Sequence, residues 1–300
     1  MLIVMMALLV TPTSARSLSG GDDPVISRAL NAGINAERIE LLVIRAQSRG
    51  VSPDQLQQIL TPVITLAERD LPYHLMMHKV VEGLAKQVSA HEIQLVLEHM
   101  QNSMIRSAAL VDPWVARQEV QHLIETSRGS RTADEATRHY RNKLLESCAH
   151  SLQMHVDDDL LRDFLEEVSS MAIMKNGDVA SIAAGLLVLF EMPVTQENPG
   201  LGVRLLVGAI NAGFSASEIR KLPAALQSAH IHSHLPMEKI AGIMDQQRYD
   251  NIPAIHIIEN LFQGNVGGSP AGFSAPGLDI YGDGHADRGR GQRPLTPPVP

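Results

Sequence analysis

Two clusters of histidine are the residues whose type and spacing come nearest to a chemical site. In His74-Leu75-Met76-Met77-His78, the two imidazoles stand one helical turn apart on the same side of a helix, as two ligands of one metal ion must. The methionine thioethers between them would suit a soft ion such as copper. The glutamate of the zinc-protease motif is missing and the sequence names no third ligand. The competing interpretation is a surface or half-buried histidine pair beside core methionines.

The second cluster is His230-Ile231-His232-Ser233-His234, which the repeat pattern described below places at a turn between two helices. Three imidazoles at such a turn could bind zinc, nickel or copper. Sequence drift at a tolerant turn also explains them, because His230 stands where related turns have glycine. Together the two clusters give an alternative function, a periplasmic metal-binding protein.

Other candidate chemistry is weaker. Asp279, Asp283 and Asp287 match positions of a calcium loop, but Arg290 stands where the loop needs a bidentate carboxylate. The sequence has no nucleophile elbow, phosphate loop or dinucleotide fingerprint. We expect Cys148, the single cysteine, to be buried on an apolar helix face rather than to act as a nucleophile. These observations favour a non-catalytic protein without a cofactor, and leave open a hydrolase whose site follows no recognised motif.

A short sequence motif that recurs along the chain marks the helices that would carry these histidines. We call this motif the repeat phrase. It consists of an apolar helix end, Gly or a stand-in, an apolar residue, a small capping residue and a new apolar helix. The phrase occurs at 31–39, 48–56, 85–93 and 211–219. Self-similarity of this kind is typical of stacked supersecondary units.

Helix-capping rules assign a role to each position of the phrase. Glycines are expected in the left-handed conformation that ends a helix, and these are Gly33, Gly50 and Gly213. Small polar residues are expected to cap the next helix, and these are Asn35, Ser52, Ser89 and Ser215. Glu92 and Glu218 follow two of these caps at the spacing of a capping box.

The spacing of the turns predicts helices of about 12–15 residues, paired in antiparallel hairpins of solenoid type. The middle of the chain differs. Its pattern predicts a longer helix over 132–154, a helix opened by the acidic run 157–159, and a buried helix over 179–192 that is too short to span a bilayer. The fold class predicted is therefore all-α: a solenoid-like array of short antiparallel helical hairpins with a longer, buried central region.

The predicted organisation has five segments. They are a signal peptide (1–15), N-terminal helical repeats (16–128), a central helical segment (129–200), C-terminal helical repeats (201–263) and a disordered Gly/Pro-rich tail (264–300). The tail is predicted to be disordered because its composition cannot bury enough apolar area to offset the entropy of ordering it.

The first fifteen residues indicate the compartment. They are apolar, carry no charge and close with Thr13-Ser14-Ala15, which predicts a secretory signal cleaved after Ala15. A first solenoid helix is the competing interpretation, although Pro12 and the missing polar face disfavour it. We therefore expect a periplasmic or secreted bacterial protein with no membrane span in its mature chain.

Composition limits the partners. The net charge is -8 and the basic residues are scattered, so no Lys/Arg stripe could neutralise the phosphates of a nucleic acid. Hydrophobic residues make up 44% of the 300 residues, which is enough for a large core. With one cysteine, no intrachain disulfide can form.

One segment resembles a known group of proteins. Leu71-Pro72, a six-residue spacer and the run 79–88, which reads KVVEGLAKQV, resemble an LPxxxxxxKVxEGLAKxV-type segment of uncharacterised exported bacterial helical-repeat proteins. Gln87 stands where that segment has glycine. The resemblance covers residues 28–100, with 205–263 as a second candidate stretch. It implies a helical array in an extracytoplasmic protein and supplies no catalytic residues.

The sequence thus predicts an extracytoplasmic interaction or scaffolding module whose partner is another protein. The expected binding surface is a groove or concave face between stacked helices. The sequence does not define the oligomeric state.

Overall fold

Short α-helices joined by tight turns form the part of the chain that this computed structural model describes, residues 24–170, 178–193 and 198–266. These residues contain no β-strand, so the all-α prediction is confirmed. The predicted signal peptide, the calcium-loop residues and the tail beyond residue 266 lie outside the described residues.

The helices alternate with turns of a few residues. Their bounds are α1 Pro24–Asn31, α2 Ala36–Ser48, α3 Pro53–Glu68, α4 His74–Ala85, α5 Ala90–Val115, α6 Gln118–Thr126, α7 Ala133–Gln153, α8 Asp158–Ser170, α9 Val179–Val188, α10 Pro199–Asn211, α11 Ala216–Ser233, α12 Met237–Tyr249 and α13 Ala254–Gln263. A 3-10 turn, Leu189–Glu191, follows α9.

A residue in the left-handed conformation ends most of these helices. Gly33, Gly50 and Gly213 have φ angles of 82°, 72° and 81°. The next N–H then reaches back to a carbonyl in the last helical turn, as Ile34 does to Ala29 at 3.1 Å. This is a Schellman motif, and its following apolar residue is buried against the helix just ended.

Residues other than glycine take the left-handed conformation at the remaining turns of this kind. They are Asp70, Gln87, His155, His234 and Asn251, with φ angles between 53° and 65°. Asp, Asn and His tolerate this conformation better than most side chains do. The turn is therefore set by the whole local hydrogen-bond pattern, and glycine is one way of meeting it.

Side-chain caps begin the helices that follow. The side chains of Asn35, Ser52, Ser89 and Ser215 each accept a hydrogen bond from a backbone N–H of the first turn. Ser52, Ser89 and Ser215 form reciprocal capping boxes with the residue three positions later. These four reversals of the chain are thus closed by local contacts on both sides, whereas α4, α6, α12 and α13 begin without a side-chain cap.

The structure corrects three details of the prediction. Helix α5 has 26 residues, twice the predicted length, because its second half packs on α6, α7 and α8 where no turn signal interrupts it. The predicted helix over 179–192 ends at Val188 and tightens into the 3-10 turn. Helix α11 continues through His230 to Ser233, so the left-handed residue is His234, and His230 does not replace a turn glycine.

The odd-numbered helices pack on one another in sequence. Helix α1 packs on α3, α3 on α5, α5 on α7, α7 on α9, α9 on α11 and α11 on α13. Among the even-numbered helices, α2 packs on α4, α8 on α10 and α10 on α12, whereas α6 packs mainly on α5 and α7. One hydrophobic core runs through all of these contacts.

Buried serines link neighbouring helices of the odd-numbered row. Ser107 donates a hydrogen bond to the Leu145 carbonyl of α7 at 2.8 Å, and Ser151 donates one to the Leu186 carbonyl of α9 at 2.5 Å. Ser181 donates one at 2.9 Å to the carbonyl of Phe214, in the turn just before α11. Because a hydroxyl is small and its donor is satisfied, it allows close approach of two helices without an unpaired polar group. None of the described helices combines the length and apolar character needed to cross a membrane.

Substitutions at two glycines can distinguish how backbone conformation and packing each affect stability. Gly50 and Gly242 both have open space where a Cβ would stand, but only Gly50 has a positive φ. We expect Gly50→Ala to lower the free energy of unfolding by about 1–2 kcal/mol, the cost of the left-handed conformation. Gly242→Ala, in the middle of α12, should raise it by up to about 1 kcal/mol. Urea unfolding of both variants tests this, and equal effects would contradict the assigned turn.

Candidate functional site

The first histidine pair lies on the exposed side of α4. His74 Nδ1 is 3.1 Å from Nη1 of Arg38 on α2, so the ring nitrogen accepts a hydrogen bond from a guanidinium. Partial desolvation lowers the pKa of His74, and the positive charges of Arg38 and His78 lower it further. A cationic neighbour on the ring nitrogen opposes metal binding there, because a metal ion would need the same lone pair.

The three histidines of the second cluster each lie in a different environment. His230 Nδ1 is 2.7 Å from the carbonyl oxygen of Leu235, and His232 Nδ1 is 3.2 Å from the Ser228 hydroxyl. His234 is the left-handed residue that ends α11. Across the described ranges, no group of three or more His, Cys, Asp or Glu side chains is placed to hold a metal ion. The metal-binding alternative remains a prediction without a geometric site.

The single cysteine is also unsuited to chemistry. Cys148 is fully buried in α7, and burial raises the pKa of its thiol to about 11. A thiol with that pKa is protonated near neutral pH, and only the thiolate is a good nucleophile. Cys148 therefore serves as a small core residue.

Exposed apolar side chains are concentrated near the start of the chain. Of twelve large apolar side chains exposed in the described residues, six lie between residues 41 and 96: Leu41, Ile44, Leu75, Val88, Leu95 and Val96. Single exposed apolar residues are common on protein surfaces, whereas contiguous apolar patches are typical of interaction sites.

A trough between α4 and α5 lies within this surface, with a volume of about 350 Å3. Helix α4 contributes Lys79, Glu82, Gly83 and Lys86, and α5 contributes Glu92, Ile93, Val96 and Leu97. We call it the α4–α5 trough.

Charges on the α4 wall form a compact cluster. Glu82 accepts hydrogen bonds from Lys79 at 2.9 Å and from Lys86 at 2.7 Å. These bonds and the two positive charges lower the pKa of Glu82 to about 2. Two lysines share the Glu82 carboxylate, and Glu92 on the α5 side brings the formal charge of the trough lining to zero.

Gly83 sets the depth of the trough. A Cβ at this position would lie 2.7 Å from Cγ1 of Ile93, which is too close for any side chain. A glycine in mid-helix costs up to about 1 kcal/mol relative to alanine, and close packing of α4 on α5 accounts for it. Glycine here brings the two helices together, and Ile93 forms the apolar floor.

Neither α6 nor α8 lines the trough. At 1.5 Å per residue, α5 is about 39 Å long, whereas the nine residues of α6 extend only about 14 Å. Gln121 of α6 bonds to the carbonyl of Val115, which places α6 beside the end of α5. Helix α8 also contacts the second half of α5, where Trp114 donates a hydrogen bond to the carbonyl of Leu165 at 2.8 Å. The first half of α5 therefore keeps Leu95 and Val96 exposed.

Two of the larger clefts are lined by several charged side chains. One, of about 690 Å3, lies at the start of α8 and is lined by Asp157, Asp158, Asp159 and Asp163. Asp158 is already paired with Arg106. The other, of about 720 Å3, lies between the turns that follow α10 and α12 and carries carboxylates and arginines in equal number. Neither groups side chains as an acid–base pair or a nucleophile with its base would require.

Comparisons with known proteins found no matching family model, no matching curated protein and no matching solved structure. The residues and their geometry therefore carry the functional argument.

The α4–α5 trough was not predicted from the sequence, although its signal was present. Leu75, Lys79, Glu82 and Lys86 recur every three or four residues and so form one stripe on the exposed side of α4. Leu95 and Val96 are two apolar residues in a position that a regular amphipathic pattern would make polar. The close approach of α4 and α5 at Gly83 and Ile93 is a tertiary contact that this local pattern does not predict.

The contact between His74 and Arg38 predicts a pH dependence of stability. The folded-state pKa of His74 lies below its ordinary value of 6.5, so the unfolded chain takes up this proton first as the pH falls. Stability should therefore fall as the pH drops below about 6.5 and level off below the folded-state pKa. In His74→Gln this contribution should disappear. Urea midpoints between pH 7.5 and 5 test it, with His122→Gln on α6 as a control, and an unchanged pH profile in His74→Gln would contradict the assignment.

The metal-binding alternative has a direct test. Because Nδ1 of His74 accepts a hydrogen bond from Arg38, and no described residues bring three ligating side chains together, we expect zinc or copper to leave the melting temperature unchanged. An ion bound at 100 times its dissociation constant would add about 2.7 kcal/mol of stability, which a thermal melt would detect. A shift abolished by His74→Ala or His230→Ala would establish a metal site.

Proposed function

We propose that this chain is a non-catalytic helical-repeat module that binds another protein through the outer surface of α2, α4 and the first half of α5. The observation that carries the proposal is the concentration of exposed apolar side chains on these helices, around a trough with an apolar floor. Apolar area that is exposed in the free chain and covered in a complex is the main favourable term in protein association.

The order of helix packing supports a solenoid-like architecture. Each odd-numbered helix from α3 to α11 packs on the odd-numbered helices before and after it, and part of the even-numbered row does the same. In such an array each unit contacts mainly its neighbours, and the surface between units is available for partners. The long α5 and the short α6 interrupt the regular pattern, and the trough lies at this interruption.

The proposed compartment rests on the sequence. The uncharged apolar leader and the resemblance of the α4 segment to exported helical-repeat proteins both favour a location outside the cytoplasm. A single cysteine suits an oxidising compartment, because it cannot form a wrong intrachain disulfide.

Crosslinking in the native periplasm tests the binding function with matched variants. Val96 in the trough is 51% exposed and Ile231 on α11 is 56% exposed, so glutamate at either position should leave the fold intact. We expect Val96→Glu to abolish recovery of the crosslinked partner, because partner contact would bury an unpaired charge. Ile231→Glu should leave recovery unchanged.

The contrary outcomes are equally clear. If both variants recover the partner as the parent chain does, the trough is not the docking surface. If the parent chain recovers no specific protein, the binding function itself is wrong. Circular dichroism melts of each variant separate a loss of binding from a loss of folding.

A further inference from the structure

We draw no further inference here: the strongest candidate, the α4–α5 trough, belongs to the surface already described, and nothing in the structure shows what covers it.

Discussion

The rest of the structure depends on the local contacts that let the chain turn back between one helix and the next. Most described helices are too short to be stable alone, so each must bury one face against its neighbours. A left-handed residue followed by a buried apolar residue lets the chain turn back within a few positions, as at Gly33-Ile34 and Gly213-Phe214. The side-chain cap that follows then satisfies the N–H groups of the next helix. Without these closures, the faces of successive helices could not meet.

Close packing between helices then holds them together in rows. Ser107, Ser151 and Ser181 supply small, satisfied polar groups between odd-numbered helices, and Gly83 does the equivalent between α4 and α5. Each is placed where a larger side chain would separate two helices. The same device that tightens the core at Gly83 also shapes the surface, because the wall that it brings close is one side of the trough.

Where this pattern is irregular, apolar side chains stay exposed, and we propose that a partner binds there. Helix α5 is long because α6, α7 and α8 support its second half, and neither α6 nor α8 lines the trough beside its first half. The uncovered segment carries Leu95 and Val96 next to the charged wall of α4. A fully regular stack would have buried these residues under another helix. In our proposal a partner protein takes the place of that helix.

The sequence by itself determined the helical class and most of the turns, because a capping box or a left-handed glycine depends on residues within five positions of one another. That is why Gly50, Ser52 and Ser89 could be assigned before any contact was known. Only the tertiary structure decided the length of α5 and the true turn at His234, since helix continuation there depends on packing between segments far apart in the chain. The α4–α5 trough also depends on tertiary packing. Its wall residues are close together in the sequence, but whether they stay exposed depends on where the other helices pack.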